Sequence, residues 1–211
     1  MSNRTSYENH NREYKELKAI VRERAAHTQH NSEEFKFIYQ DDIPHGEVLD
    51  SHTFTTAIDI GSGTGWFSNY LVEQRKYDKV YGIEPSKAAI SIAKKLYPAN
   101  DKIEYVNGFA EEELTKLEFN EPILISTMCC LAHLPDDVVL DILKCIDEVS
   151  IVGSVLVSSE PWGDSYEREC WYIRTPEWWP DNMPDWEFEF RADYKLTDPP
   201  DRYKGFIAIK S

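Results

Sequence analysis

The sequence predicts an α/β fold in which helices cover both faces of a doubly wound sheet of about seven strands. From residue 56 onward, short apolar runs alternate with stretches whose apolar residues have helical spacing, which is typical of parallel strands joined by helices. Near the C-terminus, two strand-like segments are separated only by a short Pro-containing turn, and so brief a connection favours an antiparallel pair. The sheet should therefore be mostly parallel, with an antiparallel C-terminal strand.

The central part of the chain supplies the parallel strands and their crossover helices. Ser86 is a suitable N-cap, and Pro135 is tolerated in the first turn of a helix. The predicted strands are residues 56–60, 79–84, 103–106, 123–127 and 151–158. The predicted helices are residues 66–75, 86–97 and 135–149.

The C-terminal part is rich in aromatic residues. Trp186, Phe188 and Phe190 alternate with charged residues, which predicts a half-buried strand over residues 186–196, followed by a second strand over 203–210. Most of the six tryptophans lie between residues 161 and 186. We expect most of these aromatic side chains to pack in the core and at least one to line a pocket.

The three parts of the chain are expected to form one structural domain. Residues 1–53 are predicted to supply an N-terminal helix and a lid segment, and residues 54–160 the ligand-binding core. Residues 161–211 supply the aromatic segment and the closing hairpin.

Composition and charge exclude several classes of protein. The 211 residues carry a formal net charge of −15, which opposes binding to the phosphate backbone of nucleic acids. The four cysteines form no CxxC pair, so no zinc site is predicted. The apolar stretch around Cys129 and Cys130 suits buried free thiols in the reducing cytoplasm. No signal peptide, membrane-spanning run or metal-ligand cluster is visible, so a cytoplasmic protein without a metal or a membrane partner is expected.

An alternating glycine motif follows the first predicted strand. Gly61, Gly63 and Gly65 separate that strand from a helix whose N-terminal N–H groups favour a polar ligand. A dinucleotide fingerprint would place its third glycine at position 66, where this chain has Trp66, and the lysine of a triphosphate-binding loop is missing. Glu84 ends the next strand, where a carboxylate binds ribose hydroxyls. The pattern indicates a nucleoside without a pyrophosphate, with a degenerate nicotinamide site as the alternative.

Residues 55–160 resemble the class I S-adenosylmethionine (SAM)-dependent methyltransferases, whose fold is Rossmann-like. The resemblance implies SAM as the cofactor and S-adenosylhomocysteine (SAH) as the product. The chain departs from the family at Phe109, where many members have an aspartate that binds adenine. The cofactor-binding residues that the resemblance implies are Asp59, Gly61, Ser62, Gly63, Thr64, Gly65, Glu84, Pro85, Phe109, Ala110, Thr127 and Met128.

Two residues are candidates for catalysis, which in this family is an in-line attack on the sulfonium methyl group. His133 follows the fourth strand and could act as a general base, or it could only cap a loop. Glu160 follows the fifth strand and could face the acceptor or orient a base, or it could be a solvated loop carboxylate.

The acceptor predicted from the sequence is a small molecule methylated at oxygen or nitrogen. Aromatic faces suit sugars and cationic amines, and a sugar is the favoured example. The alternatives are methylation of protein or RNA, and a SAM-binding regulatory protein without turnover. The predicted acceptor-binding residues are Tyr14, Trp162, Trp171 and Tyr172. The chain is expected to be a monomer or a homodimer.

Overall fold

The computed structural model of the chain describes residues 54–98, 100–128, 130–160, 172, 174–191 and 204–211. Within them, a seven-stranded sheet has the order β3-β2-β1-β4-β5-β7-β6. The predicted N-terminal helix and lid, and the turn at residues 198–201, lie outside the described residues.

The strands and helices alternate as predicted up to β5. The strands are β1 (Thr56–Ile60), β2 (Lys79–Ile83), β3 (Ile103–Val106), β4 (Leu124–Met128), β5 (Val155–Glu160), β6 (Trp186–Arg191) and β7 (Lys204–Lys210). The helices are α1 (Trp66–Glu73), α2 (Lys87–Leu96), α3 (Ala110–Glu113), α4 (Asp136–Val149) and α5 (Trp178–Asn182). Short 3-10 helices span Leu114–Lys116 and Leu131–His133.

The pairing of the strands confirms the predicted fold class. Strands β1 to β5 are all parallel to one another, whereas β7 pairs antiparallel with both β5 and β6. Strand β1 lies between β2 and β4, so the order of the strands reverses there. In open parallel sheets, ligands bind in the crevice at the carboxyl ends of the strands on either side of such a reversal.

Apolar residues bury both faces of the sheet. Ile58 and Ile60 pack with the buried residues of α3, α4 and α5 on one face. Ala57, one step along the same strand, packs with α1 on the opposite face. Successive strand residues point to opposite faces, so the apolar residues of β1 are divided between the two sides of a sheet that is covered on both.

Two tryptophans of the aromatic segment pack in the core, as predicted for most of them. Trp179 and Trp186 are only 1% and 4% exposed, and both belong to the cluster on the α4 face. The Trp186 indole Nε1–H donates to Asp147 Oδ1 over 2.9 Å, which fixes the edge strand to α4. Trp162 and Trp171 lie outside the described residues.

Some element boundaries differ from the prediction for local reasons. Strand β5 begins at Val155 and not at residue 151, because Gly153 has a φ of 89° and the Ser154 N–H donates to the Ile151 carbonyl in a turn. Helix α1 ends at Glu73, just before Lys76, which adopts a φ of 66°. The short helices α3 and α5 were not predicted, since neither is long enough to show helical periodicity.

Candidate cofactor and acceptor site

The glycine loop joins β1 to α1 at the reversal of strand order. Gly61, Gly63 and Gly65 have φ values of 72°, 54° and 79°, a region that other residues rarely adopt. The N–H groups of Gly61 and Ser62 both donate to the Ile83 carbonyl, at 2.9 and 3.1 Å. The loop is therefore tied to the end of β2, with Gly65 as the N-cap of α1.

Glu84 lies immediately after β2, next to the glycine loop. Its Oε2 accepts from the Gly63 N–H at 2.9 Å, and its Oε1 accepts from the Ser86 N–H at 2.8 Å. Two backbone groups thus fix the orientation of a half-buried carboxylate. Each carboxylate oxygen has a further lone pair, so the group can still accept two ligand hydroxyls, as a ribose requires.

Asp59 lies in β1, directly below the loop, and is buried. Its carboxylate accepts from the Ser68 hydroxyl of α1 at 2.6 Å and from the Ser126 hydroxyl of β4 at 3.0 Å. These contacts hold the start of α1 against the two central strands. The side chain of Asp59 therefore supports the loop from beneath, and a direct cofactor contact at this position stays a prediction.

The burial of Asp59 gives the protein a testable pH dependence. Desolvation raises the pKa of Asp59 from 3.8 to about 6, although the hydrogen bonds from Ser68 and Ser126 oppose the shift. Between these values the folded state binds more protons than the unfolded state, so this group lowers stability as the pH rises.

We expect the stability of the wild type relative to Asp59→Asn to fall by about 2 to 3 kcal/mol as the pH rises through this interval. Urea unfolding of both proteins across the interval measures the difference and cancels the contributions of other carboxylates. If instead the wild type became more stable relative to Asp59→Asn as the pH rises, the two serine hydroxyls would have to keep Asp59 ionised.

An open groove of about 770 Å³ adjoins the ends of β2 and β3. Asn107 Nδ2 donates to the carbonyls of Glu84 and Pro85, both at 3.0 Å. These bonds join the segment that follows β3 to the segment that follows β2. Phe109 is the N-cap of α3, and Ala110 behind it is buried. The groove is lined by Pro85, Lys87, Ala88, Asn107, Gly108, Phe109, Glu112 and Glu113. Pro85 and Phe109 are thus brought together beside Glu84, as the sequence predicted.

Strand β4 directs the two predicted site residues at its end to opposite faces. Met128 packs with the cluster on the α1 face, the side on which Asp59 meets Ser126. Thr127 is fully buried, and its hydroxyl donates to the Ser158 hydroxyl at 2.9 Å. The Thr127 side chain therefore belongs to the packing of the sheet, and a cofactor contact at this position stays a prediction.

His133 lies in an exposed position on the loop that follows β4. This loop, residues 130–134 and hereafter the β4 loop, begins at the carboxyl end of the strand, beside the glycine loop. The His133 N–H donates to the Cys130 carbonyl at 3.3 Å. Cys130 is only half-buried, which differs from the predicted buried thiol. The imidazole is placed where it could reach an acceptor.

Glu160 is buried at the end of β5 and is not the solvated carboxylate considered as an alternative. It accepts the backbone N–H groups of Cys130, Leu131 and Ala132 at 3.2, 3.1 and 3.0 Å. Burial raises the pKa of Glu160 to about 7, against the opposing effect of these three donors. Both carboxylate oxygens face the β4 loop. This favours a role for Glu160 in orienting that loop over a direct contact with the acceptor.

The structure also places Arg174 and Tyr172 at the site. Arg174 is buried, and its guanidinium donates to carbonyls of the β4 loop. The sequence analysis missed this residue, and its only signal there is that an arginine lies within an aromatic segment. Tyr172 is 44% exposed, and its N–H donates to the Ala132 carbonyl at 2.7 Å. Tyr172 therefore lies beside the β4 loop, and its role as an acceptor residue stays a prediction. Tyr14 lies outside the described residues.

In the described ranges, no group of three or more His, Cys, Asp or Glu side chains is arranged to hold a metal ion. No helix in the same part of the chain combines the length and apolar character needed to cross a membrane.

The reversed strand order, the glycine loop and the adjacent carboxylate define an α/β protein with a candidate nucleoside site. Residues 57–150 match the family model described as a methyltransferase domain. This match confirms the resemblance to the SAM-dependent methyltransferases, and with it SAM as the cofactor. No curated protein matches the chain.

Solved structures share the fold at low sequence identity. The structure described as a DhpI–SAH complex is 14% identical with a TM-score of 0.63, and the match covers 92% of this chain and 95% of that one. A SAM-dependent methyltransferase from Archaeoglobus fulgidus is 16% identical, with a TM-score of 0.60 and coverages of 84% and 99%. Phosphoethanolamine N-methyltransferase 2 from Haemonchus contortus, in complex with SAM, is 15% identical, with a TM-score of 0.59 and coverages of 83% and 55%.

Proposed function

We propose that this protein transfers the methyl group of SAM to an oxygen or nitrogen atom of a small-molecule acceptor in the cytoplasm. The observation that carries the proposal is the position of Glu84, whose carboxylate is held by two backbone N–H groups beside the glycine loop. The net charge of −15 favours a small acceptor over a nucleic acid. Among the similar structures, the enzyme named for phosphoethanolamine is an example of a small acceptor.

The residues of the chain divide the work of the reaction between binding and alignment. SAM supplies an electrophilic methyl group, so the protein has to align donor and acceptor and exclude water. Asp59 supports the glycine loop, and Glu84 is oriented to accept the ribose hydroxyls. His133 is exposed on the β4 loop, and we assign it the role of removing a proton from an oxygen acceptor.

The acceptor side is assigned to the β4 loop and to the aromatic segment that follows β5. Tyr172 contacts the β4 loop through its backbone and leaves its ring exposed, which suits stacking on a sugar or a cationic amine. We propose that Trp162, Trp171 and Tyr14 complete this side of the site. A sugar remains the acceptor that the aromatic residues favour most.

The proposal is tested with methyl-labelled SAM and a panel of acceptors. The panel includes sugars, amino alcohols, phosphoethanolamine, total RNA and a protein extract, with Glu84→Gln as the background control. We expect labelled product from a small molecule and stoichiometric formation of SAH. Label in RNA or protein would change the acceptor class, and SAM binding without SAH above the control would favour a regulatory protein.

The type of acceptor decides what His133→Asn does. For an oxygen acceptor, loss of a general base lowers turnover about 100-fold. For a neutral amine, which needs only desolvation and alignment, the same variant retains turnover within about threefold. Turnover with an oxygen acceptor that is unaffected by the substitution would remove His133 from the mechanism.

A further inference from the structure

The buried carboxyl group of Glu160 lies against the backbone N–H groups of the β4 loop. Glu160 accepts three successive backbone N–H groups, those of residues 130, 131 and 132, and is only 2% exposed. Such an arrangement satisfies backbone donors that follow a strand and have no partner in the sheet. The side chain of Glu160 thus fixes the orientation of three peptide groups at once.

A buried positive charge meets the carbonyl side of the same loop. The Arg174 guanidinium donates through Nη1 to the Leu131 carbonyl at 3.0 Å and through Nη2 to the Leu134 carbonyl at 2.7 Å. Nη2 also pairs with Asp136 Oδ1 at 2.9 Å, at the start of α4. The planar fork of an arginine suits this set of acceptors, which a lysine could not satisfy in the same way. Arg174 therefore holds the loop from the side opposite Glu160.

The aromatic segment holds Arg174 in turn. The guanidinium carbon lies 4.9 Å from the centre of the Trp178 ring and 6.0 Å from that of Trp179. Nη1 also donates to the Tyr172 carbonyl at 3.2 Å. Burial of a carboxylate and a guanidinium is costly unless most of their polar atoms are hydrogen-bonded. Among the described residues only Arg174 Nε of these atoms has no partner, so the loop and both side chains are expected to order together.

The two ends of the clamped loop face different parts of the site. At its start, a Cβ added to Gly61 would lie 2.8 Å from Cβ and Sγ of Cys130, so the loop is in close contact with the glycine loop. At its other end, His133 is exposed on the acceptor side. The conformation of the loop therefore sets the position of His133 relative to the cofactor site.

We propose that Glu160 and Arg174 are positioning residues that clamp the β4 loop from opposite sides and thereby align the acceptor with the SAM methyl group. The proposal rests on the proposed function for its catalytic consequence and on the contacts above for its structural one. It makes Arg174 the residue that connects Tyr172 and Trp178 to the β4 loop.

The test compares Arg174→Gln and Glu160→Gln with the control Glu177→Gln, an exposed carboxylate on the same segment. Amide hydrogen exchange of residues 130–136 is measured in each protein, together with calorimetric SAH affinity and single-turnover methyl transfer. We expect exchange in the loop to rise about tenfold or more in both clamp variants, since each leaves buried groups unsatisfied. The central strands and the control should keep their wild-type exchange.

Catalysis should respond differently from binding. We expect turnover to fall at least tenfold in the clamp variants while the SAH dissociation constant changes less than threefold, because Glu84 and the glycine loop are untouched. Arg174→Lys restores the charge without the fork and should remain impaired. Unchanged loop exchange, or equal losses of turnover and SAH affinity, would overturn the proposal.

The exchange measurement needs no acceptor. If the protein methylates nothing but loop exchange rises as expected in the variants, the proposed function is contradicted. The structural role of Glu160 and Arg174 in clamping the loop is then still supported. If Arg174→Gln does not fold, the comparison of Glu160→Gln with Glu177→Gln decides the question by the same criteria.

Discussion

Replacement of Glu84 by glutamine should raise the dissociation constant for SAM about 100-fold. Both carboxylate oxygens already accept backbone N–H groups, from Gly63 and Ser86, and only an ionised carboxylate has acceptors left on both for a ribose diol. A glutamine would turn its NH₂ group towards one of these N–H donors. Loss of two hydrogen bonds to a charged group accounts for about 3 kcal/mol.

The measurement is calorimetric titration with SAM and SAH, for which the surface offers a matched control. Glu104 lies on the edge strand β3, is exposed, and pairs with Lys79 at 2.6 Å. Glu104→Gln should change the affinity less than twofold, because an exposed ion pair contributes little. SAM binding by Glu84→Gln within threefold of the wild type would mean that the nucleoside lies elsewhere in the crevice.

Substitution of Gly65 by alanine should be the most destabilising single change in the glycine loop. Gly65 combines a φ of 79° with a buried position where a Cβ would lie 2.8 Å from Tyr105 Cζ and 2.9 Å from Ala93 Cβ, and closer still to the Tyr105 hydroxyl. Left-handed strain and overpacking together should cost about 2 to 5 kcal/mol in the free energy of unfolding.

Gly63 provides the comparison within the same loop. Its φ is 54°, but the nearest atom to an added Cβ is the Gly61 carbonyl oxygen at 3.9 Å. Gly63→Ala should therefore cost only the strain, about 1 to 2 kcal/mol. Chemical denaturation measures both variants, and Tyr105→Ala combined with Gly65→Ala should recover part of the loss. If Gly63→Ala and Gly65→Ala lowered the free energy of unfolding equally, the contact with Tyr105 would make no contribution to the loss.

Local signals in the sequence account for most of the fold and for the cofactor half of the site. Alternating apolar runs and helical spacing predicted β1 to β5 and the helices α1, α2 and α4, because each element must bury one or both faces by itself. The glycine loop and Glu84 were predicted since a tight turn and a strand-end carboxylate are properties of short segments. Where the boundary of β5 was wrong, one glycine with a left-handed φ had interrupted an apolar run.

The rest of the candidate site was less predictable from the sequence, because its contacts join residues far apart in the chain. Thr127 and Met128 are neighbours in sequence, yet the pleat directs one into the packing with Ser158 and the other to the α1 face. Glu160 was predicted as a candidate, but only the fold shows that both its oxygens face the β4 loop.

The sequence by itself determined the class of fold, the methyltransferase type and the position of the nucleoside site, since periodicity, glycine spacing and strand-end carboxylates are local and the sheet brings strand ends together by its topology. Only the tertiary structure decided that Asp59 supports the loop from beneath and that Arg174 reaches Leu131, 43 positions away along the chain. The physical reason is that the hydrogen-bond partners of a buried charged side chain are the groups that the fold leaves without other partners. No short segment of sequence shows which groups those are.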